Sequence, residues 1–337
     1  MRKTSYTSKR EHSANADGRR HALKPGLARL PVLDDCPVPA GQTNSSAALG
    51  GIEAGGTKWV CAVGAGPSEI RASITIPTTT PEETISRAAE FLRANGPLSA
   101  VGVGSFGPLD LNQDSAHWGE ITTTPKPGWA GTPLHTHLAE RLGVPIALDT
   151  DVNAAALGEH CWGAARGFDT FSYLTVGTGI GAGSLVHGEL LHGLVHPEVG
   201  HLLIPHDRER DPFDGVCPFH RDCFEGLASG EAMRRRWGKP GPQIEHAAAW
   251  DLEAEYVALG VLNMTCVLSP QRIILGGGVM QHQSLIGQIR EKFVHLAAGF
   301  LATPALDERV DSYLVSPALG NRSGVVGALE LARRLCP

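Results

Sequence analysis

The sequence predicts an α/β protein built as two similar lobes around a cleft. Two observations carry this expectation. From residue 50 onward, short β-rich runs alternate with longer runs of helical spacing, the arrangement of strands covered by helices. The chain also begins twice: a Gly-rich turn in GIEAGGTK is answered by a second, TVGTGIGAG, after residue 170, and two lobes facing one another account for the repetition.

The strands expected, in order, are GGIEAGGTKWVCAVG, IRASITI, SAVGVGS, PIALDT, FSYLTVG, GAGSLVHG, RIILGGG and VDSYLVS. Each is a short run rich in apolar and β-branched residues. The helices expected are PEETISRAAEFLRA, PLHTHLAERLG, DVNAAALGEHCWG, AAAWDLEAEYVALGVLNMTCVL, SLIGQIREKFVHLAAG and GVVGALELARRL. Residues 47–165 are read as the first lobe and 166–337 as the second, the last helix being a candidate to pack back on the first lobe. Residues 1–46 differ: MRKTSYTSKREHSANADGRRHALKPG is polar, basic and without apolar periodicity, and it runs into a Pro-rich stretch. It is read as a disordered extension or a start-site artefact. Glu11 and Asp17 weaken the alternative of a transit peptide.

Composition narrows the function classes. At 337 residues the chain is long enough for two cores of ordinary size, and 42% hydrophobic with 19% charged residues describes a soluble globular protein. A formal net charge of -6 argues against a generally basic nucleic-acid surface. No apolar run approaches the roughly 18 residues of a membrane span. Seven scattered cysteines and no secretory signal point to a reducing cytoplasm.

Gly-rich turns invite phosphate readings. The P-loop pattern fails, because no Gly-Lys is followed by Ser or Thr. Gly102, Gly104 and Gly107 satisfy GxGxxG after a strand, but Pro108 and LDLNQD follow where a helix should open, which argues against a dinucleotide site. In IEAGGTK, Gly55 and Gly56 allow a tight turn with exposed N–H groups, Thr57 adds a hydroxyl and Lys58 a point charge. In TVGTGIGAG, Gly177, Gly179, Gly181 and Gly183 alternate with Thr178, Ile180 and Ala182, a hairpin whose backbone an anion can approach. Either alone is compatible with an ordinary β-turn. With LGGG ending at Gly276, Gly277 and Gly278, they favour a nucleotide cleft.

Other residues stand out by position. Asp151 follows the apolar run VPIAL and precedes VNAAALGE, at a strand-to-helix junction where a carboxylate serves either as helix N-cap or as a base. Asp149 lies two residues earlier, a step back from the junction. In VCPFHRDC, Cys217, His220 and Cys223 stand three apart, which is metal-ligand spacing. A structural zinc takes four ligands, and His196, His201 and His206 compete for the fourth place.

The ordered motifs GIEAGGTK, SFGP, TDVNAAALGE, TVGTGIGAG, HPEVGH, CPFHRDCFEGLASG and IILGGGVM resemble those of the ROK family of sugar kinases, in particular its bacterial fructokinase branch, over residues 48–335. The resemblance implies an actin-like (ribonuclease H-like) two-lobed ATPase fold with ATP and a hexose meeting in the cleft. It implies Asp151 as the general base, Glu198, His201 and Glu225 on sugar hydroxyls, and Asn153 orienting the loop or the sugar. Glu53 is similar to the acidic residue near the metal-phosphate site, acting through water on Mg²⁺. It also points to His201 as the fourth ligand of a closed, structural Zn²⁺. Thr150 stands where ROK glucokinases usually carry Asn, which favours fructose over glucose and keeps mannokinase and broad hexokinase as alternatives. Sugar-sensing ROK repressors carry an N-terminal DNA-binding domain for which 1–46 is too short and unpatterned, so no nucleic-acid partner is expected. A homodimer and transfer to the 6-hydroxyl are family expectations.

Overall fold

The computed structural model describes residues 48–336, so the expected N-terminal extension lies outside the described residues. Two five-stranded sheets organise them. The first contains β1 (Ala48–Ala54), β2 (Lys58–Gly64), β3 (Ala72–Pro77), β4 (Leu98–Ser105) and β5 (Ile146–Thr150), in the order β3-β2-β1-β4-β5. The second contains β6 (Phe171–Val176), β7 (Ile180–Val186), β8 (Glu189–Leu190), β9 (Ile273–Gly276) and β10 (Leu314–Val315), in the order β10-β9-β6-β7-β8. In each, the first three strands form an antiparallel meander and the last two run parallel to the first. The same topology is thus built twice along the chain, and the fold is α/β with two lobes of the actin-like type.

The helices are α1 (Pro81–Ala94), α2 (Leu134–Leu142), α3 (Asp151–Trp162), α4 (Phe224–Ala228), α5 (Gly230–Trp237), α6 (Ala247–Leu268), α7 (Leu285–Ala297), α8 (Val310–Tyr313) and α9 (Ser323–Arg333). Local signals fix the start of α1: Thr80 Oγ1 accepts a hydrogen bond from Glu83 N, Pro81 occupies the first turn, and Glu82 and Glu83 face the positive end of the helix. Ile85, Ala88, Ala89 and Leu92 then bury one stripe in the first core, with Trp59, Val103 and Leu138. The second core gathers on the apolar α6, whose Trp250, Val257 and Val261 join Leu174, Phe224 and Phe293.

Two helices connect the lobes. α3 leaves the last strand of the first sheet and packs on β6 and β7 of the second, while α9 leaves the second sheet and packs on β1 and β4 of the first. They also pack on each other, and the closeness depends on glycine. A Cβ on Gly327 would stand 1.6 Å from Ala154 O, and one on Gly158 would stand 2.5 Å from Ser323 O. The expected lobe boundary at 165/166 falls in the connection between α3 and β6.

VDSYLVS departs from its expected strand. Residues 310–313 form α8, and only Leu314 and Val315 pair, with Ile273 and Ile274 of β9. A short apolar alternation does not distinguish the two states without its neighbours.

Candidate active site

The junction of β5 and α3 assigns two tasks to two residues. Thr150 is the N-cap: its backbone is extended and its Oγ1 accepts from Asn153 N at 3.1 Å. Asp151 is therefore the first helical residue, released from the capping role that the sequence left open. Its Oδ1 accepts only a neighbouring contact from Val152 N at 2.9 Å among its side-chain hydrogen bonds. Asp151 is half-buried, and desolvation pushes its carboxyl up to about 6, against the smaller lowering effect of the backbone N–H.

Three further carboxylates share the site: Asp151 acts on Glu53 and on Glu198, and Glu225 acts on Glu198. Glu53, on β1, has Oε2 buried with no hydrogen-bond partner. Burial and then the charge of Asp151 push Glu53 up to about 7, while the Lys58 ammonium opposes them. Glu198 is pushed up to about 7 by burial, then by the charges of Glu225 and Asp151. Glu225, in the first turn of α4, accepts from Ile180 N at 2.9 Å through Oε2, over Gly179, where a Cβ would lie 2.6 Å from that oxygen. Residues far apart in sequence, on both lobes, thus form one acidic site of mutually repelling, poorly solvated carboxylates. Hydroxyl donors or a divalent cation would relieve that repulsion.

The Gly-rich turns border the same cleft. Gly55 N donates to Lys58 O at 3.0 Å, and Thr78 Oγ1 donates to Gly55 O at 2.7 Å, which locks the first turn. Across from it, Gly177 N donates to Gly179 O at 2.9 Å and Gly230 N to Gly177 O at 2.7 Å. The exposed hydroxyls of Thr57 and Thr178 meet between the two turns at 3.3 Å. Gly56 and Gly278 have no atom within 4 Å of where a Cβ would stand, so a ligand can approach the backbone there. Gly277 adopts φ +95°, and a Cβ on it would meet Val176 O at 2.3 Å. Packing also requires Gly276, where a Cβ would lie 2.2 Å from the Tyr173 hydroxyl, whereas at Gly181 a Cβ would press on the Val152 side chain at 3.3 Å.

The metal-spacing motif closes into a cluster. His201, Cys217, His220 and Cys223 each offer a ligand atom, all within 4.8 Å of one another. His201 Nδ1 lies 3.6 Å from both Cys217 Sγ and Cys223 Sγ, and His220 Nδ1 lies 3.8 Å from Cys217 Sγ. Tetrahedral zinc, with bonds of about 2.3 Å to sulfur and about 2.0–2.1 Å to nitrogen, sets its S···N edges at about 3.6 Å, so the donor set fits a closed four-coordinate ion. The competing histidines are engaged elsewhere. His206 Nε2 sits 2.9 Å from Asp211 O and its Nδ1 3.1 Å from Asp222 Oδ2, whereas His196 Nε2 accepts from Leu109 N at 3.0 Å.

The sequence marks Asp149 as an acid beside Asp151 and His196 as a candidate ligand, but not the partners that two loop histidines find. Asp149, buried, accepts from Thr150 N at 2.7 Å and Asn153 Nδ2 at 2.8 Å, and His192 Nε2 reaches its Oδ2 at 3.0 Å. His196 joins the SFGP turn of the first lobe to the segment carrying Glu198, with Nδ1 3.4 Å from Glu198 Oε1. Two histidines in a loop carry no local signal of partners 43 and 87 residues away.

A duplicated α/β topology, two facing glycine turns and a carboxylate at the first turn of a central helix define a protein of the two-lobed actin-like ATPase class. The ROK family model matches residues 49–335, and the chain belongs to the ROK family. The chain is 41% identical over 298 residues to a fructokinase of Zymomonas mobilis subsp. mobilis, covering 86% of this chain and 97% of that protein. It is 42% identical over 286 residues to a fructokinase of Pediococcus pentosaceus, covering 85% and 97%. Among solved structures, a ROK family glucokinase from Streptomyces griseus in complex with glucose and AMPPNP is 26% identical with a TM-score of 0.71, covering 85% of this chain and 99% of that one.

Proposed function

We propose that the protein is an ATP-dependent fructokinase, which transfers the γ-phosphoryl group of ATP to D-fructose and releases ADP and D-fructose 6-phosphate. The carrying observation is Asp151: freed from capping by Thr150, desolvated to about 6, and sharing its site with Glu198 and Glu225. A carboxyl of that kind is ionised at neutral pH yet basic enough to take the hydroxyl proton as the bond to phosphorus forms. The fructokinase relatives support fructose as the acceptor.

Asp151 is the general base. Glu198 and Glu225 accept from sugar hydroxyls, and Asn153 orients the sugar with the carbonyl of its amide. His201 keeps Nδ1 on the thiols, leaving its other ring nitrogen for a sugar hydroxyl. Gly55, Gly56, Thr57, Lys58, Thr178, Gly179, Gly181, Gly276, Gly277 and Gly278 line the ATP side. Glu53, with an unpartnered buried oxygen, is suited to a water on Mg²⁺. Mg²⁺, when bound with ATP, neutralises phosphate charge. Zn²⁺ in the Cys₂His₂ cluster is structural, joining the segment of Glu198 to that of Glu225. The working form is a cytoplasmic homodimer by resemblance to the family. Among the described residues, no helix is long and apolar enough to cross a membrane.

A coupled ADP-release assay over fructose, mannose and glucose tests the reading. Fructose is expected to give the highest kcat/KM; mannose or glucose in first place would replace it with a mannokinase or a broad hexokinase.

A further inference from the structure

The loop between β8 and the 3₁₀ turn Val199–His201 carries two histidines whose partners impose opposite protonation. His196 Nε2 accepts from the Leu109 backbone N–H at 3.0 Å, so that nitrogen is bare and the ring is neutral. His192 has its nearest contacts with acceptors on both sides: Nδ1 lies 3.1 Å from Leu190 O, and Nε2 lies 3.0 Å from Asp149 Oδ2 and 3.2 Å from Oδ1, with Asn153 Nδ2 farther off at 3.3 Å. The carbonyl and the carboxylate accept only, and Asn153 Nδ2 donates to Asp149 Oδ1 at the shorter 2.8 Å, so both ring nitrogens carry protons and His192 is a cation.

The other partners of Asp149 show what the cation supports. Thr150 N and Asn153 Nδ2 donate to Asp149 Oδ1 at 2.7 and 2.8 Å, so one buried carboxylate gathers the helix cap, the Asn153 amide and the His192 loop. With Nδ2 committed to Asp149, Asn153 keeps its carbonyl oxygen as an acceptor. Four residues after His192, His196 continues the same loop toward Leu109, and Glu198 follows two residues later.

We propose that His192 is a positioning residue for the sugar site: as an imidazolium it clamps the Glu198-bearing loop to Asp149 and thereby fixes both Glu198 and the Asn153 amide. The assignment of those two groups to a sugar rests on the proposed kinase function; the clamp itself does not. The titratable groups acting on His192 are Asp149 from β5, which holds its proton on, and His196 from its own loop. The hydrogen bond and charge of Asp149 raise its proton affinity above the ordinary 6.5, against partial desolvation. The clamp is therefore intact at low pH and released as pH rises through that raised value, so sugar affinity falls on the alkaline side while the phosphoryl step changes little.

The test combines ring-nitrogen NMR with kinetics. In ¹⁵N-histidine protein at pH 7, the resonance lost in His192→Gln is expected to be that of a doubly protonated ring, and that of His196 to be a neutral Nδ1–H ring. Fructose KM of the wild type is expected to rise on the alkaline side, as pH passes through the raised value of His192. In His192→Gln it is expected to be about tenfold higher at pH 7 and flat on the alkaline side, with kcat within about threefold, the scale of a lost charge-assisted hydrogen bond. His192→Arg, which keeps the charge, restores a low KM and remains flat. A neutral His192 at pH 7, or an alkaline rise in KM that survives in His192→Gln, overturns the proposal. If fructose proves not to be a substrate, the NMR result still decides the clamp, and the two failures stay distinct.

Discussion

Thr57 and Thr178, one from each glycine turn, hold their hydroxyls 3.3 Å apart across the cleft. Each follows a glycine of its turn: Gly56 has open space where a Cβ would stand, and Gly177 O accepts from Gly230 N at the start of α5. The pair marks where the two lobes approach on the proposed ATP side. Replacing Thr178 by Val removes a donor for a phosphate oxygen without disturbing a core. ATP KM is expected to rise about tenfold, the scale of a hydrogen bond to a charged group, with fructose KM unchanged. Steady-state kinetics with each substrate varied in turn checks it.

The acid limb of activity follows from two raised carboxyls. Burial pushes Asp151 up to about 6 and Glu198 up to about 7, so each is protonated as pH falls through its value and loses its ability to accept. kcat is expected to fall below about pH 6, and fructose KM to rise below about pH 7. Glu198→Gln, which cannot titrate, is expected to remove the KM limb and leave the kcat limb. A pH series on both proteins reads the difference.

Removal of the metal tests the structural role of the cluster. His201 lies three residues after Glu198, and Cys223 lies two residues before Glu225, so a metal in the cluster would tie together the segments of the two carboxylates proposed to bind the sugar. A strong chelator, or Cys217→Ser, is expected to lower the Tm and to raise fructose KM more than ATP KM. Metal analysis of the purified protein should return one zinc per chain. Metal-free protein with unchanged Tm and fructose KM would contradict this role.

The crossing of α3 and α9 predicts a stability effect remote from the chemistry. At Gly327 a Cβ meets backbone rather than a flexible side-chain end, so the helices must move apart. Gly327→Ala is expected to destabilise by about 1–3 kcal/mol, the usual scale of core overpacking. Chemical denaturation checks it.

Much of this was legible in the residues because it is local. Thr80, Pro81 and the apolar stripe of α1 mark that helix, and the long apolar run of α6 appears with its ends as written in the sequence. The doubled glycine turn likewise foretold two sheets of one topology. What stayed hidden is set by tertiary partners. α8 reads as a strand because Val310, Tyr313 and Val315 are good β-formers, and the dense short helices α4 and α5 carry no long periodic pattern. Asp151 could not be separated from a cap until Thr150 Oγ1 was seen on Asn153 N. Spacing supplied three of the clustered donors and the family resemblance pointed to His201 as the fourth, but spacing alone does not separate it from His196 and His206, which the atoms around each ring do.

The central claim is that Asp151 takes the proton in phosphoryl transfer. The direct measurement is kcat of Asp151→Asn at saturating fructose and MgATP, alongside fructose binding by calorimetry. The amide keeps the size and the neighbouring contacts of the carboxyl, so binding is expected to stay within a few-fold while kcat falls by roughly 10²- to 10⁴-fold. A variant that binds fructose normally and retains wild-type kcat would contradict the assignment.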